Sequence, residues 1–447
     1  MMISKTPLED WILNKISSNG ELSHLTRSAI EAFQLEKIRQ TISYARSKSR
    51  FYRNLLAGFG SDPVITINDL SMLPFTVSDD LINHPLQFLC VSQSAVERCV
   101  TLHSSATTGP AKRLFFTKED LNHTLDFFHY GMSTLVKAGD RVMILLPGDR
   151  PNSVGDLLSR ALLRMNVESI IHGFVISPEK TVEAVLKHDI KCLVGAPVHI
   201  FALFQSGNGR KYLKGRITKV LLTTDYVPDI ISSVLESEYN CEAYSHYGMT
   251  EMGWGGGVEC EAHCGHHMRE ADIFIEIIDP KTGQVLPDGE AGEVVITTLN
   301  RVGMPLIRYR TGDISRFLTK PCPCGTVLKR LDKIFCRMNA AVYLDSEKPL
   351  ITQLLDEELF ALPGVMDYKA EVSTRGNKDC LTITLSLSSK SNRDEVCAAA
   401  MEKIMIIPQI ESCKKRLFIE PITCFEEIIL SPGAQKRVLI DNRKEHL

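Results

Sequence analysis

The stretch His246-Tyr247-Gly248-Met249-Thr250-Glu251 places an aromatic ring, a hydroxyl and a carboxylate close together. It follows the strand-like run 241–245, so we expect it at the carboxyl end of a strand. An aromatic ring there can stack on a base, Thr250 can donate to a phosphate, and Glu251 can hold Mg²⁺. The competing interpretation is an aromatic core residue followed by a helix N-cap.

The segment before this stretch alternates short apolar runs with helical patterns. The runs lie at 142–146, 167–171, 191–194 and 219–222, and the helical patterns at 156–165, 178–188 and 229–238. This alternation predicts an α/β fold with a parallel sheet covered on both faces. Ligands of such sheets bind at the carboxyl ends of the strands.

The outer parts of the chain have different patterns. Residues 1 to about 58 show helical spacing, and 118–136 reads as a helix opened by a capping box of Thr117 and Asp120. Residues from about 253 to 330 contain strands joined by strong turn signals. The final segment predicts a separate α+β domain. The expected domains are therefore 1–335 and 336–447.

The composition limits the class of partner. The 447 residues carry 51 Lys plus Arg and 54 Asp plus Glu, a net charge of -3. This balance argues against nucleic acid and anionic membranes and favours small molecules. The sequence shows no signal peptide pattern and no apolar run long enough for a membrane helix. The 13 cysteines are scattered, which favours a reducing compartment and a cytoplasmic location.

Two further segments suit phosphate and ribose. The loop 103–112 contains four hydroxyl side chains, Gly109 and Lys112, and such donors bind polyphosphate oxygens. A solvated Ser/Thr turn is the competing interpretation. The segment 308–313 ends in Asp313, whose carboxylate can accept hydrogen bonds from both ribose hydroxyls. An ion-paired turn is the alternative there.

Taken in order, the three segments resemble the adenylate-forming superfamily of acyl-CoA synthetases, specifically its phenylacetate–CoA ligase branch. The motifs are SSATTGPAK at 104–112, YGMTE at 247–251 and RYRTGD at 308–313, and the sequence of 258–299 is also similar. The resemblance runs from about residue 40 to 335 and more weakly to the end. It implies a large nucleotide- and acid-binding N-terminal domain with parallel sheets and a β-rich subdomain. A small, mobile α+β C-terminal domain would follow.

The resemblance assigns roles by position. The residues that match the loop holding the β- and γ-phosphates are Ser104, Ser105, Thr107, Thr108, Gly109 and Lys112. Tyr247 matches the adenine-stacking residue, with Gly248 and Met249 in the same nucleotide motif. Thr250 matches the α-phosphate contact and Glu251 the Mg²⁺ ligand, and both are expected to act in catalysis.

Four more positions follow from the resemblance. Asp225 stands beside adenine, and Asp313 matches the ribose-binding carboxylate. Arg337 matches the hinge arginine that also contacts the nucleotide. In the segment 431–437 we choose Lys436 as the catalytic lysine.

The chain also departs from the family pattern. Ala106 replaces a central Gly of the phosphate loop, and Thr224 stands where the family often has Gly before the acid. After Arg337, the family's acidic hinge and Gly-rich strand are replaced by the segment 338–344. This departure leaves open whether coenzyme A is the acceptor.

A second group of residues suits a metal. Three thiols and an imidazole, at Cys260, His267, Cys322 and Cys324, form a donor set for tetrahedral Zn²⁺. A closed set of four would be structural rather than catalytic. The spacing is not that of a common zinc finger, and reduced cysteines without metal are the alternative. The resemblance favours bound metal, with His266 as the substitute ligand.

These observations predict ATP-dependent activation of a small carboxylic acid through an acyl-adenylate, followed by transfer to coenzyme A. The expected cofactors are ATP/AMP, Mg²⁺, coenzyme A and structural Zn²⁺, and a homodimer is compatible with this expectation. The resemblance alone favours aromatic acids, in a pocket near 146–148, 195–197 and 254–257. Two alternatives remain: a nucleotidyltransferase that leaves AMP on its product, and a non-catalytic nucleotide-binding relative.

Overall fold

The computed structural model describes residues 3–17, 22–102, 111–344, 349–388, 391–425 and 437–443. The helices of these residues are α1 (Pro7–Ile16), α2 (Arg27–Lys48), α3 (Arg50–Leu55), α4 (Ser78–Asn83), α5 (Lys118–Met132), α6 (Val154–Leu163), α7 (Pro178–Lys187), α8 (Pro197–Gln205), α9 (Gly207–Tyr212), α10 (Asp229–Tyr239), α11 (Thr352–Leu359), α12 (Arg393–Met405) and α13 (Pro408–Glu411).

The strands are short except for one long pair near the C-terminus. They are β1 (Arg98–Leu102), β2 (Lys112–Phe116), β3 (Arg141–Leu145), β4 (Glu168–Ile171), β5 (Cys192–Gly195), β6 (Lys219–Leu222), β7 (Glu242–Tyr247), β8 (Gly257–Val258), β9 (His266–Met268), β10 (Ile273–Ile278), β11 (Gly292–Thr298), β12 (Tyr309–Ser315), β13 (Arg330–Leu331), β14 (Cys336–Arg337), β15 (Val365–Arg375), β16 (Lys378–Leu387), β17 (Leu417–Ile419), β18 (Thr423–Phe425) and β19 (Ile440–Asp441).

The chain folds into two compact units. Unit 1 contains Met1–Ala138, Arg150–Asn166 and Ser245–Ile334, and unit 2 contains Gly139–Asp149, Val167–Tyr244 and Phe335–Leu447. Strand β7 crosses from unit 2 into unit 1 between Tyr244 and Ser245. The domain division predicted from the sequence remains a prediction.

Unit 1 joins N-terminal helices to antiparallel strands. β1 and β2 form a hairpin with Leu102 opposite Lys112, and α5 follows directly. The predicted capping box of α5 is confirmed, since the Thr117 hydroxyl accepts from the Asp120 N–H and the Asp120 carboxylate accepts from the Thr117 N–H. The same carboxylate accepts from the N–H groups of Val302 and Gly303, and so ties the helix to the segment after β11.

A second part of unit 1 is the antiparallel sheet β10-β11-β12. Arg308, at the entrance to β12, is fully buried and ion-paired with Glu276 of β10, with two N···O distances of 3.0 Å. Its Nη1 also donates to the carbonyls of Ser71 and Leu73. This network fixes the start of β12, where Tyr309 lies.

Unit 2 contains the predicted parallel sheet, in the order β4-β3-β5-β6. Helices α7, α8 and α10 contribute to its apolar core with strand residues such as Met143, Leu193 and Val220. The same core continues into the C-terminal segment, where it includes Leu355 and Ile383. The prediction of an α/β fold with parallel sheets is confirmed.

The C-terminal segment forms an α+β arrangement within unit 2. β15 and β16 pair as a hairpin around a turn at Gly376 and Asn377, as the sequence predicts. β17 and β19 add in parallel at the two edges of this pair, giving the order β17-β16-β15-β19. Helix α12 follows the hairpin. Its buried residues Ala400 and Ile404 pack in the apolar core.

The sequence analysis predicts no helix where α8 lies, and it predicts that α5 continues to residue 136. Every residue of α8 is buried, so the helix has no polar face and its sequence lacks the amphipathic spacing used to recognise helices. Helix α5 ends at Met132 rather than 136, where the Ser133 N–H bonds to carbonyls of the last turn. No helix in the described ranges is both long and apolar enough to span a bilayer.

Candidate active site

Two side chains in unit 1, those of Lys112 and Tyr309, meet around the buried carboxylate of Glu251. Glu251 is 2% exposed and accepts hydrogen bonds from the Lys112 ammonium and, at 3.2 Å, from the Tyr309 hydroxyl. Lys112 Nζ also lies 3.2 Å from the Tyr309 hydroxyl. The three residues come from the first position of β2, the turn after β7 and the first position of β12. Distant parts of the sequence therefore build one charged cluster.

The electrostatics of this cluster keep Glu251 ionised. Burial by itself raises the pKa of a carboxyl, but the Lys112 charge and its hydrogen bond outweigh burial and lower the pKa of Glu251. The pKa of Tyr309 is raised, by burial first and then by the Glu251 charge. The cluster thus presents an anionic oxygen ligand, a cation and a neutral phenol.

Glu251 lies on a tight turn held by main-chain bonds. Residues Thr250–Met252 form a 3₁₀ turn, and the Trp254 N–H bonds to the Met249 carbonyl at 3.0 Å. Gly248 enters this turn at close range, because a Cβ there would lie 2.9 Å from the Gly255 Cα. A side chain at position 248 would therefore displace the motif backbone.

A second pair lies in the same unit. The Tyr247 hydroxyl donates to Asp313 Oδ2 at 3.1 Å, and both side chains are buried. Tyr247 ends β7 and Asp313 lies in the middle of β12, after Gly312, whose φ of 75° favours glycine. The structure therefore brings together the residues predicted to contact adenine and ribose.

Two predicted nucleotide residues lie in unit 2. Asp225 follows β6 and accepts a hydrogen bond from the Arg437 N–H at 2.9 Å. Thr224, just before it, has a φ of 75°, which a β-branched residue rarely adopts. Arg337 ends the short strand β14 and is half-buried.

Six predicted residues lie outside the described residues. They are Ser104, Ser105, Thr107, Thr108 and Gly109 of the phosphate loop, and Lys436. Their roles remain predictions.

The predicted metal ligands form one cluster in unit 1. The ligand atoms of Cys260, His267, Cys322 and Cys324 all lie within 4.8 Å of one another, and all four residues are buried. The Sγ atoms of Cys260 and Cys322 are 3.6 Å apart, and His267 Nε2 lies 3.4 Å from Cys260 Sγ and 3.6 Å from Cys324 Sγ. A tetrahedral ion with Zn–S bonds of about 2.3 Å requires S···S separations of about 3.8 Å. The donor set and its dimensions fit Zn²⁺.

The strand β9 distinguishes the two adjacent histidines. Neighbouring residues of a strand point to opposite faces, so only one of them can face the cysteines. His267 does so, whereas His266 Nε2 lies 2.8 Å from the Ser245 hydroxyl. Cys264 lies at the edge of the cluster, 3.9 Å from Cys322 Sγ, and accepts from Arg330 at 2.8 Å.

Sequence reasoning gave no role to Tyr309 or Arg301. Tyr309 stands inside a quoted motif, but its contact with Lys112 and Glu251 depends on how β12 enters the sheet. Arg301 donates to the Glu251 carbonyl at 2.5 Å. Its position in a turn after β11 carries no sequence signal that distinguishes it from a surface arginine.

The α/β fold and the buried carboxylate with its lysine and phenol partners define the class of adenylate-forming enzymes. A family model described as "AMP-binding enzyme" matches residues 32–301, more than half of the chain. The chain therefore belongs to the AMP-binding enzyme family.

Curated relatives are similar over most of their length. A phenylacetate-coenzyme A ligase of Thermus thermophilus is 27% identical over 393 residues, covering 84% of this chain and 85% of the relative. One of Pseudomonas putida is 28% identical over 382 residues, covering 81% and 83%. The two alignments agree with the branch that the motifs indicate.

Solved structures share the fold. A 2-hydroxyisobutyryl-CoA ligase in the postadenylation state, in complex with 2-HIB-AMP, matches with a TM-score of 0.77 at 19% identity, covering 94% of this chain and 90% of that chain. The same enzyme with 2-HIB-AMP and CoA in the thioesterification state matches with a TM-score of 0.65 at 19% identity, covering 94% and 91%.

Proposed function

We propose that this protein is an AMP-forming acid–CoA ligase. A carboxylic acid attacks the α-phosphate of ATP, pyrophosphate leaves, and the acyl group passes from the adenylate to the thiol of coenzyme A. The observation that carries the proposal is the buried Lys112–Glu251–Tyr309 cluster in a chain of the AMP-binding family. Relatives named phenylacetate-coenzyme A ligase support the reaction class.

Glu251 is the proposed Mg²⁺ ligand. Mg²⁺ prefers hard oxygen donors, and Glu251 supplies an ionised carboxylate whose pKa is lowered chiefly because Lys112 outweighs its burial. When bound with ATP, Mg²⁺ neutralises charge on the polyphosphate. Lys112 adds a second positive charge beside the same carboxylate, so the cluster is suited to phosphate oxygens.

The remaining nucleotide residues have separate proposed tasks. Tyr247 stacks on adenine, Asp313 accepts the ribose hydroxyls, and Thr250 contacts the α-phosphate. The Tyr247–Asp313 hydrogen bond supports the first two assignments because it holds both groups beside each other. Gly248 and Met249 are proposed to shape the same motif, and Asp225 and Arg337 are proposed to contact the nucleotide.

The phosphate loop and the catalytic lysine complete the proposal. The hydroxyls of the loop 104–109 would hold the β- and γ-phosphates, and Lys436 would bridge the carboxylate and the α-phosphate. We expect Lys436→Ala to suppress adenylation by orders of magnitude while ATP binding is retained. If the Lys436→Ala variant exchanged pyrophosphate at the wild-type rate, another residue would have to be the catalytic lysine or its equivalent.

The acid itself is proposed by class. The relatives' names make phenylacetate and other aryl acids the first candidates. A pyrophosphate-exchange screen over aryl, short hydroxylated, fatty and amino acids tests this directly. If ATP binds but no acid in the screen supports pyrophosphate exchange, the result would favour a non-catalytic nucleotide-binding protein.

The acceptor is tested separately. With the preferred acid, ATP and coenzyme A, mass spectrometry should detect a thioester and free AMP. An adenylated product without thioester would instead identify a nucleotidyltransferase.

The cluster of Cys260, His267, Cys322 and Cys324 is proposed to hold a structural Zn²⁺. All four positions are taken by protein ligands, which leaves no open position of the kind that catalytic zinc requires. Such a site joins the turn 322–325 to β9.

A cytoplasmic location accords with these thiols and with the other free cysteines. A homodimer is the proposed assembly, to be measured by light scattering.

A further inference from the structure

Arg437 lies directly after Lys436, the proposed catalytic lysine, and begins the described segment 437–443. Its side chain is only 20% exposed although it carries a charge. The groups that contact it come from the α11 region, from β15 and from the turn after β6, all within unit 2. The proposed reaction gives Arg437 no task.

Two buried carboxylates hold the guanidinium of Arg437. Its Nη1 lies 2.6 Å from Asp356 Oδ1, and its Nε lies 3.5 Å from Asp367 Oδ1. The Tyr368 hydroxyl donates to the same oxygen of Asp356 at 2.6 Å. Burial raises the pKa of Asp356 to about 6, and the Arg437 charge opposes this rise. The rigid fork of an arginine suits such a pair of acids better than the point charge of a lysine does.

Two aromatic rings contact the same guanidinium. Its central carbon lies 4.9 Å from the centroid of Phe360 and 4.5 Å from that of Tyr368. A cation near the face of a ring is attracted by the ring electrons. Ion pairing and ring contacts therefore restrict the side chain of Arg437 together.

The main chain of Arg437 is held as well. Its N–H donates to Asp225 Oδ2 at 2.9 Å, and Asp225 Oδ1 accepts from the Tyr226 N–H at 2.9 Å. The Arg437 N–H belongs to the planar peptide group that joins this residue to Lys436. Asp225 follows β6, at the edge of the parallel sheet where ligands bind. The chain next to Lys436 is thus attached to the ligand-binding edge of the sheet.

We propose that Arg437 is a positioning residue for adenylation, which anchors the chain beside Lys436 so that the lysine ammonium reaches the acid carboxylate and the α-phosphate. This inference rests on the proposed function and on Lys436 as its catalytic lysine. Arg437 itself does not touch the substrate. A misplacement of about 1 Å in an active site can cost about 100-fold in rate. The anchor therefore acts on kcat rather than on ATP binding.

The activity test is pyrophosphate exchange by Arg437→Met with ATP and phenylacetate, the first acid of the screen. We expect kcat to fall at least about tenfold, while the KM for ATP changes less than about threefold. Arg437→Lys keeps the charge without the fork, so its loss should be smaller. This second variant serves if Arg437→Met does not fold.

Arg443→Met is the matched control. Arg443 lies in the same described segment, its side chain is 21% exposed, and it also pairs with two carboxylates, Asp379 at 2.6 Å and Asp441 at 2.8 Å. We expect this variant to keep kcat within about twofold of the wild type. Equal losses in Arg443→Met and Arg437→Met would show that general stability sets the rate, and would overturn the proposal.

A double-variant cycle tests whether Arg437 acts through Lys436. If it does, Lys436→Ala combined with Arg437→Met should be no more than about twofold slower than Lys436→Ala alone. A purely structural role would instead multiply the two losses. Multiplied losses would overturn the proposal.

Hydrogen–deuterium exchange tests the anchor without any substrate. The amide of residue 437 should exchange at least about tenfold faster in Asp225→Ala and in Arg437→Met than in the wild type. Unchanged exchange in both variants would overturn the anchor. A wild type without pyrophosphate exchange for any acid of the screen would refute the proposed function and this proposal with it. Exchange at equal rates in the wild type and Arg437→Met would refute this proposal alone.

Discussion

At the scale of single residues, the ion pair between Lys112 and Glu251 explains how a carboxylate can stay ionised in a buried site. Burial opposes the charge of Glu251, and the ammonium of Lys112 restores it. Lys112 is the last residue of the predicted phosphate loop and the first residue of β2. The pair therefore links the loop that would hold phosphates to the residue that would hold their metal.

The first prediction concerns Glu251→Gln. The variant leaves the Lys112 ammonium in a mostly buried place without its anion, so we expect a loss of about 3 kcal/mol in the free energy of unfolding at neutral pH. Because the folded-state pKa of Glu251 is lowered, the wild-type advantage is fully present above the unfolded value near 4.5. It should shrink as the pH falls through the folded-state pKa. Urea unfolding of both proteins across acidic pH measures this.

The control is Lys112→Met in the Glu251→Gln background. Removing the orphaned ammonium should recover part of the lost stability, because no buried charge then lacks a partner. A double variant less stable than the wild type by the sum of the two separate losses would show that the two residues act independently. We also expect Glu251→Gln to reduce pyrophosphate exchange at saturating Mg²⁺, whereas thermal unfolding without nucleotide reports stability alone.

The second prediction at this scale concerns Thr224. Its φ of 75° costs about 1–2 kcal/mol for a residue with a Cβ. Thr224→Gly removes this strain and adds about 0.5–1 kcal/mol of unfolded-state entropy, so we expect a net gain of about 0.5–1 kcal/mol in the free energy of unfolding. Thr224→Ala keeps a Cβ and serves as the control. Chemical denaturation that ranks Ala equal to or above Gly would contradict the strain.

At the scale of elements, β9 shows how strand geometry selects a ligand that composition leaves ambiguous. His266 and His267 are adjacent in the sequence, and the period of a strand places them on opposite faces. His267 faces three thiols across β8 and the turn before β13. The choice between them depends on pairing, which no count of cysteines and histidines can supply.

The prediction for β9 and its neighbours is that the zinc content of the protein depends on the four residues of the cluster. We expect about one Zn²⁺ per chain in the purified protein. Cys322→Ser and His267→Ala should lose most of it. Cys264→Ser and His266→Ala should retain it, since neither residue belongs to the cluster of four. Inductively coupled plasma mass spectrometry gives the content, and retention of zinc by His267→Ala together with loss by His266→Ala would reverse the assignment.

The elements that the sequence predicts well are those whose pattern is local. The capping box of Thr117 and Asp120, the parallel strands and the β15–β16 hairpin follow from spacing and turn residues. The wholly buried α8 lacks a polar face and could not be found in this way. Tyr309 and Arg301 were missed because their partners are distant in sequence and their contacts depend on tertiary packing.

At the scale of the whole molecule, the chain passes repeatedly between two compact units, and each of them buries apolar side chains. Unit 2 has a continuous apolar core that includes β3, β5, β6, β15 and β16. Unit 1 buries side chains such as Phe116 and Ile296 and the Arg308–Glu276 ion pair, and among the described residues it is the unit that holds the four-ligand cluster. Loss of metal should therefore act on one unit more than on the other.

The last prediction is tested by hydrogen–deuterium exchange after chelation of the metal. A structural Zn²⁺ contributes its binding free energy to the folding of the elements that it joins. We expect amides of β8, β9 and β13 in unit 1 to exchange at least about tenfold faster, which corresponds to about 1.4 kcal/mol or more of lost local stability. Amides of β15 and β16 in unit 2 should keep their protection, because their core contains none of the ligands. Equal loss of protection in both units would show that they unfold as one body. Unchanged exchange in unit 1 would show that the metal does not contribute to the stability of unit 1.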